Sequence, residues 1–166
     1  AEVPIVVCTL KGTNHVIPRL LKLKGSTDMT DRDDECELGY WLGRPFWGQG
    51  LIPEAAWALL CRAFGELGMQ AVWCGYYHGN EKSRRVQEKL GFRYHHTSEN
   101  LELTLLGETR TGHCSLMTRE RWKKLELFRN QKKTLDTFLD THAISRAQYD
   151  KSLGDLRKLM DMEGVL

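Results

Sequence analysis

ELGYWLGRPFWGQGLIPE, residues 37 to 54, sets three kinds of chain in a row. Glu37 to Leu42 is β-prone, Gly43 to Gly50 is a loop punctuated by glycine and proline, and Pro53 fits the first turn of a helix, where a missing N–H costs nothing. A loop that feeds a helix N-terminus points unpaired backbone N–H groups and the positive end of the helix dipole at one place, which predicts an anion cradle. Gly48 and Gly50 flank Gln49, so the backbone there can approach a ligand or take positive φ. A strand-turn-helix corner with glycines for steric reasons alone accounts for the same pattern, and a lone Gly-x-Gly does not separate the two readings. Two nucleotide-binding motifs are excluded. A Walker loop ends in Gly-Lys-Ser/Thr, whereas Gly50 is followed by Leu51 and Ile52, and a dinucleotide fingerprint needs a third glycine where Pro53 stands.

The flanking chain repeats the arrangement. Ile52 to Leu67 carries Ile52, Ala56, Leu59, Leu60, Ala63 and Leu67 on one helical face, widened by Trp57 and Phe64, and Gly68 ends it. Gln70 to Tyr77 reads as a strand, His78-Gly79-Asn80 as a turn with Asn80 as N-cap, Glu81 to Leu90 as a helix stopped by Gly91, and Phe92 as the start of another strand. Strands alternating with helices at this spacing predict two adjacent parallel strands with helices leaving their C-terminal ends, and ligands bind in that crevice.

WLGRPFWGQGLIPEA followed by GNEKSRRVQEKLGFRYHH resembles the GNAT superfamily of acetyl-CoA-dependent N-acetyltransferases, and within it the ribosomal-protein N-terminal acetyltransferase branch. The resemblance is strong from Cys36 to Tyr94 and weaker to Trp122. It implies an α/β (α+β) fold with a mixed, splayed sheet flanked by helices, and acetyl-CoA lying between the splayed strands. The pantetheine arm would pair with the main chain at Tyr40, Trp41 and Leu42, and the diphosphate would lie over Gly48, Gln49, Gly50, Leu51 and Ile52. Trp41 and Trp47, otherwise structural, would touch the coenzyme, and Asn80 would bond its pantetheine amide. A strand N–H near Trp41 or Leu42 would stabilise the oxyanion. Ser83 matches the serine of the ribosomal-protein branch, near the sulfur, while a first-turn helix residue without chemistry is the plainer reading. Trp47 and Ile52 depart from the family's loop pattern. Gln87 stands where many members carry a tyrosine acid.

The need for a base depends on the acceptor. An α-amine is about 10 to 20% neutral at pH 7, a lysine about 0.04%. Glu37, on the strand beside the expected carbonyl site, is the candidate base, set against a strand carboxylate facing solvent. His78 is a second candidate or an exposed loop histidine. His95 and His96, adjacent on a strand, are expected to face opposite sides and not to share a metal. No metal is expected.

Composition bounds the rest. The chain has 166 residues and a formal charge of +2, which argues against nucleic-acid binding. Its five cysteines show no Cys-x-x-Cys spacing, so reduced thiols and a cytoplasmic location are expected, and no stretch reads as a membrane span or signal peptide. Val3 to Leu10 reads as a strand and Lys11 to Glu35 as a long charged connection; the helices that wall the family's acceptor site are not read here, and the N-terminal part of the domain is expected to be missing. Residues 1-122 are assigned to the acetyltransferase domain and 123-166 to a helical hairpin, with Lys123 to Asp140 as one helix and Ser145 capping a second that carries Tyr149, Leu153, Leu156, Leu159 and Met160. The hairpin suits a stabilising tail or a homodimer contact. The function expected is acetyl transfer to an amine acceptor, a protein N-terminus or a small molecule, with a non-catalytic acetyl-CoA-binding or interaction module as the alternative.

Overall fold

The computed structural model describes residues 6–12, 34–103 and 106–165. Five strands, β1 (Val6–Gly12), β2 (Glu35–Leu42), β3 (Ala71–Tyr77), β4 (Arg93–Leu103) and β5 (Glu108–Thr118), form a mixed sheet in the order β1-β2-β3-β5-β4. β1 runs antiparallel to β2 along its whole length, from Val6 opposite Leu42 to Gly12 opposite Cys36. β2 and β3 are parallel neighbours, as the alternation of strand and helix requires, but pair only from Glu35 opposite Ala71 to Glu37 opposite Trp73. β3 pairs antiparallel with β5 from end to end, and β5 with β4.

Among the described residues the α-helices are α1 (Leu51–Cys61), α2 (Glu81–Leu90), α3 (Arg119–Asp140) and α4 (Arg146–Met160). Cys36 and Leu38 of β2, Val72 and Cys74 of β3 and Met117 of β5 share one core cluster with α1 (Ala56, Leu60), α2 (Leu90), α3 (Trp122, Leu125, Phe128) and α4 (Tyr149, Leu153). Trp122 lies between Trp57 and Phe64, with ring centroids 4.6 and 5.1 Å away. Residue 122 thus sits inside a helix that starts at Arg119 and runs on to Asp140, and the hairpin shares the sheet's core. Asn80 accepts from Ser83 N at the start of α2, and Ser145 and Gln148 make a reciprocal capping box at the start of α4.

Several expectations are corrected. The helix expected over 52–67 stays α-helical only to Cys61, and Arg62–Glu66 is a π-helical turn. The wider turn takes Leu67 off the apolar face, leaving it half exposed. Leu159 also stands in solvent rather than on its stripe. His95 and His96 do not face opposite sides: a bulge between Tyr94 and His96 breaks the two-residue alternation, and the two Nδ1 atoms lie 2.9 Å apart. Trp41 and Trp47 are exposed and Trp73 is buried, its Nε1 donating to Glu35 Oε2 at 2.8 Å. The first strand expected over 3–10 is found as Val6–Gly12, residues 3–5 lying outside the described ones, as does most of the charged connection at 13–33.

Candidate active site

The site begins where β2 and β3 part. Beyond Glu37 and Trp73 neither strand has a ladder partner in the other, so Leu38 to Leu42 presents an open backbone edge toward Cys74 to Tyr77. Glu37 stands at this fork, and its carboxylate lies close enough to Cys114 to raise that thiol further, after burial, to about 12. In chain order the edge leads from β2 straight into the glycine loop and α1.

Main-chain geometry makes the loop a cradle. Gly48 and Gly50 take φ of +81° and +78°, and a Cβ at either would meet nothing within 4 Å. The glycines are therefore required by conformation and not by crowding. The first intrahelical bond is Glu54 N to Gly50 O, at 3.2 Å. Among the described residues the amides of Gly48, Gln49, Gly50, Leu51 and Ile52 have no recorded acceptor, and all five residues but the buried Ile52 are at least partly exposed. Unpaired amides, open space and a helix dipole together suit a diphosphate. The residues present fit the coenzyme that the sequence implies.

The opposite wall of the split is α2. Because Cys36, Leu38 and Tyr40 alternate onto the helix-covered face of β2, the Tyr40 ring reaches the first turn of α2, where its Oη lies 2.8 Å from Ser83 Oγ and 3.2 Å from Ser83 O. One turn along, at i+4 from Ser83, the buried Gln87 directs Nε2 at Gly75 O (3.2 Å), with Tyr40 Oη and Ser83 Oγ each at 3.5 Å. Burial, then the neighbouring Cys74, pushes the Tyr40 phenol well above its ordinary range, so it is a neutral hydroxyl. Tyr40 has a single proton for two Ser83 oxygens. When it is given to Ser83 O, the serine hydroxyl is left to donate to Tyr40 Oη, and when it is given to Oγ the serine proton is left for another acceptor.

The sequence-derived residues thus fall into two walls. Tyr40, Trp41 and Leu42 line the β2 edge, although Leu42 O already accepts from Trp47 Nε1 at 2.8 Å. Gly48 to Ile52 form the cradle. Asn80 and Ser83 open α2, with Asn80 Oδ1 occupied by its capping bond to Ser83 N at 3.2 Å. His78 follows β3 directly, with Nδ1 3.2 Å from His113 Nε2. The side-chain contacts that Tyr40 and Gln87 make with Ser83 were not read from the sequence. Strand parity and the i+4 spacing from Ser83 were the signals for them. Among the described residues no cluster of three or more His, Cys, Asp or Glu is arranged to hold a metal, no disulfide forms, and no helix is long and apolar enough to cross a membrane.

A parallel pair that opens beside a glycine cradle, with a capped helix on its far side, defines an α/β fold with a candidate anion-binding crevice. The family model described as "Acetyltransferase (GNAT) domain" matches residues 11–93, half of the chain, and the chain belongs to this family. It is 43% identical over 58 residues to "Putative ribosomal N-acetyltransferase YdaF" of Bacillus subtilis (strain 168), covering 35% of this chain and 32% of that one. Among solved structures, a "putative acetyltransferase" from T. thermophilus aligns with a TM-score of 0.52 at 30% identity, over 54% of this chain and 48% of that one. A GCN5-related N-acetyltransferase from Brucella melitensis aligns with the same TM-score at 21% identity, over 57% and 43%, a likeness of fold alone. The chain spans about a third of the length of the curated relative and about half of these structures.

Proposed function

We propose that this protein is an N-acetyltransferase that binds acetyl-CoA in the split between β2 and β3 and transfers its acetyl group to a primary amine. The observation that carries this reading is the ladder that stops at Glu37 and Trp73 directly beside a loop whose amides have no recorded acceptor among the described residues. Acetyl-CoA supplies an acetyl group already activated as a thioester. The amides of Gly48 to Ile52 bind its diphosphate, and the β2 edge from Tyr40 to Leu42 offers main-chain groups to the pantetheine arm and an N–H to the developing oxyanion. Ser83 Oγ, held by Tyr40, would hydrogen-bond the departing sulfur, and solvent supplies the proton that the free thiol finally carries. Glu37 at the fork takes the proton lost by the amine, directly or through water. What supports these roles is that Glu37 ends the ladder between the two strands and that Ser83 Oγ lies 2.8 Å from Tyr40 Oη on β2.

The name of the Bacillus relative points to ribosomal acetylation, and an α-amine suits a site with a single candidate carboxylate base, since part of it is neutral at pH 7. The acceptor class we assign is therefore a protein N-terminal α-amine, with small-molecule amines next; the cysteine pattern supports a cytoplasmic setting. Calorimetric titration with acetyl-CoA, followed by thiol release in the presence of an amine panel, tests the proposal. Binding with amine-dependent release supports it, and binding without release leaves a regulatory acetyl-CoA-binding module. Gly50→Asp places a carboxylate where the diphosphate is bound and should abolish binding. Unchanged affinity in that variant would reject the loop assignment.

A further inference from the structure

The phosphate cradle has a cation that the loop itself does not encode. Trp47 occupies a position at which the resembled family pattern carries glutamine or arginine, yet Lys82 Nζ lies 3.7 Å from the centroid of the Trp47 ring, and the Arg44 guanidinium carbon lies 5.9 Å from it on the loop side. The ring is fixed from behind by its own Nε1, which donates to Leu42 O at 2.8 Å, so its plane is set by the end of β2. Lys82 comes from the first turn of α2, the opposite wall of the split. The loop and the helix therefore meet across the mouth of the opening through one ammonium and one indole face.

The charge on Lys82 is uncommitted. Among the described residues it has no ion pair, and the acidic side chains nearest in sequence on α2, Glu81 and Glu88, are both engaged by Arg84. An aromatic face attracts an ammonium without neutralising it, and both partners remain exposed. A lysine resting on a fixed ring also has less conformational freedom to lose when it closes on an anion. These are the properties of a phosphate ligand held ready.

Resting on the acetyl-CoA reading above, we propose that Lys82, shelved on Trp47 and assisted by Arg44, recognises a phosphate of the coenzyme and selects phosphorylated acyl carriers over bare pantetheine. Trp47 is then a positioning residue, the nearer cation being supplied from α2 and the farther one, Arg44, from the loop.

The test is calorimetry of the folded chain with coenzyme A, 3′-dephospho-coenzyme A, 4′-phosphopantetheine and pantetheine, at two salt concentrations. Lys82→Met keeps the aliphatic stem and removes the charge. It should weaken coenzyme A binding about tenfold or more and flatten its salt dependence, as expected for loss of a charge-assisted contact. Pantetheine binding should not change, and Lys82→Arg should restore most of the affinity. Trp47→Leu should reproduce the defect and Trp47→Phe should largely spare it. Loss confined to coenzyme A assigns the 3′-phosphate, and loss shared with the dephospho form assigns the diphosphate. If the wild-type chain binds coenzyme A and Lys82→Met binds it equally well, the inference is wrong while the acetyl-CoA reading survives; if the wild-type chain binds none of the four, both fall.

Discussion

Tyr40 Oη and Ser83 Oγ stand 2.8 Å apart, joining the β2 wall of the split to the α2 wall across 43 residues of chain. The contact fixes the rotamer of the one hydroxyl at the start of α2. Removing the phenolic oxygen with Tyr40→Phe should lower kcat about tenfold to a hundredfold, with coenzyme affinity changed little, because it disturbs aim and not binding. Ser83→Ala should fall by a similar factor. The double variant should be no worse than either single, since both act through one proton. Independent, multiplying losses would show that the two residues do not work as a unit.

Gly91 ties the far end of α2 to α3. It takes φ of +88° and lets Phe92 N reach Gln87 O at 3.0 Å, closing the helix just beyond the buried glutamine. A Cβ here would lie 3.3 Å from Leu125 Cδ2 and 3.6 Å from Met117 Cε. Gly91→Ala thus combines left-handed strain with crowding of the core and should destabilise the fold by about 2 kcal/mol or more. Gly48→Ala meets no neighbour and should cost only the strain, about 1 kcal/mol. Urea midpoints of the two variants should rank accordingly.

Most of the frame was legible because local chemistry and tertiary need agree in it. Asn80 at the start of α2, Gly91 at its end and Ser145 at the start of α4 act in the structure as their residue types demand. The parallel β2 and β3 pair followed from the alternation of strand and helix. What was not legible depends on more than one segment. The π-helical turn at Arg62–Glu66 leaves no mark in a 3.6-residue pattern, and the bulge that brings His95 and His96 together is set by β5 as much as by β4. The same holds for the site. Glycine spacing foretold the positive φ of Gly48 and Gly50, whereas the Lys82 and Trp47 pairing joins residues 35 apart in sequence that no local period connects.

Trp122 is the point at which α3 is fastened to the sheet. It is 2% exposed and lies between the rings of Trp57 and Phe64, while Arg129 from the same helix covers Trp57 with its guanidinium carbon 3.7 Å from the ring centroid. Trp122→Ala removes the middle ring of three and should cost about 3 to 5 kcal/mol, enough to threaten folding of the whole chain. Trp122→Phe should keep the stack at a cost of about 1 to 2 kcal/mol. If the hairpin were an independent appendage, Trp122→Ala would loosen α3 and α4 and leave the sheet's unfolding transition in place; the shared core predicts one cooperative transition displaced as a unit.

Two buried thiols and the partly buried Tyr40 phenol should make this fold sensitive to alkali. Burial raises the Cys36 thiol from 9.0 to about 11, and burial with the nearby Glu37 raises Cys114 from 9.0 to about 12. Tyr40 shifts in the same direction. In each case the unfolded chain gives up its proton first. Stability is therefore complete below about pH 9 and declines as pH rises, through about 11 for Cys36 and about 12 for Cys114, because the folded state must either hold protons that the solvent withdraws or expose the groups. Acidification below neutrality should leave these contributions intact. Denaturation midpoints of the wild-type chain should be flat from about pH 7 to 8.5 and then fall, and Cys36→Ala with Cys114→Ala should start lower, from lost packing, but fall less steeply over the same interval. Parallel curves for the two proteins would show that neither thiol is linked to folding.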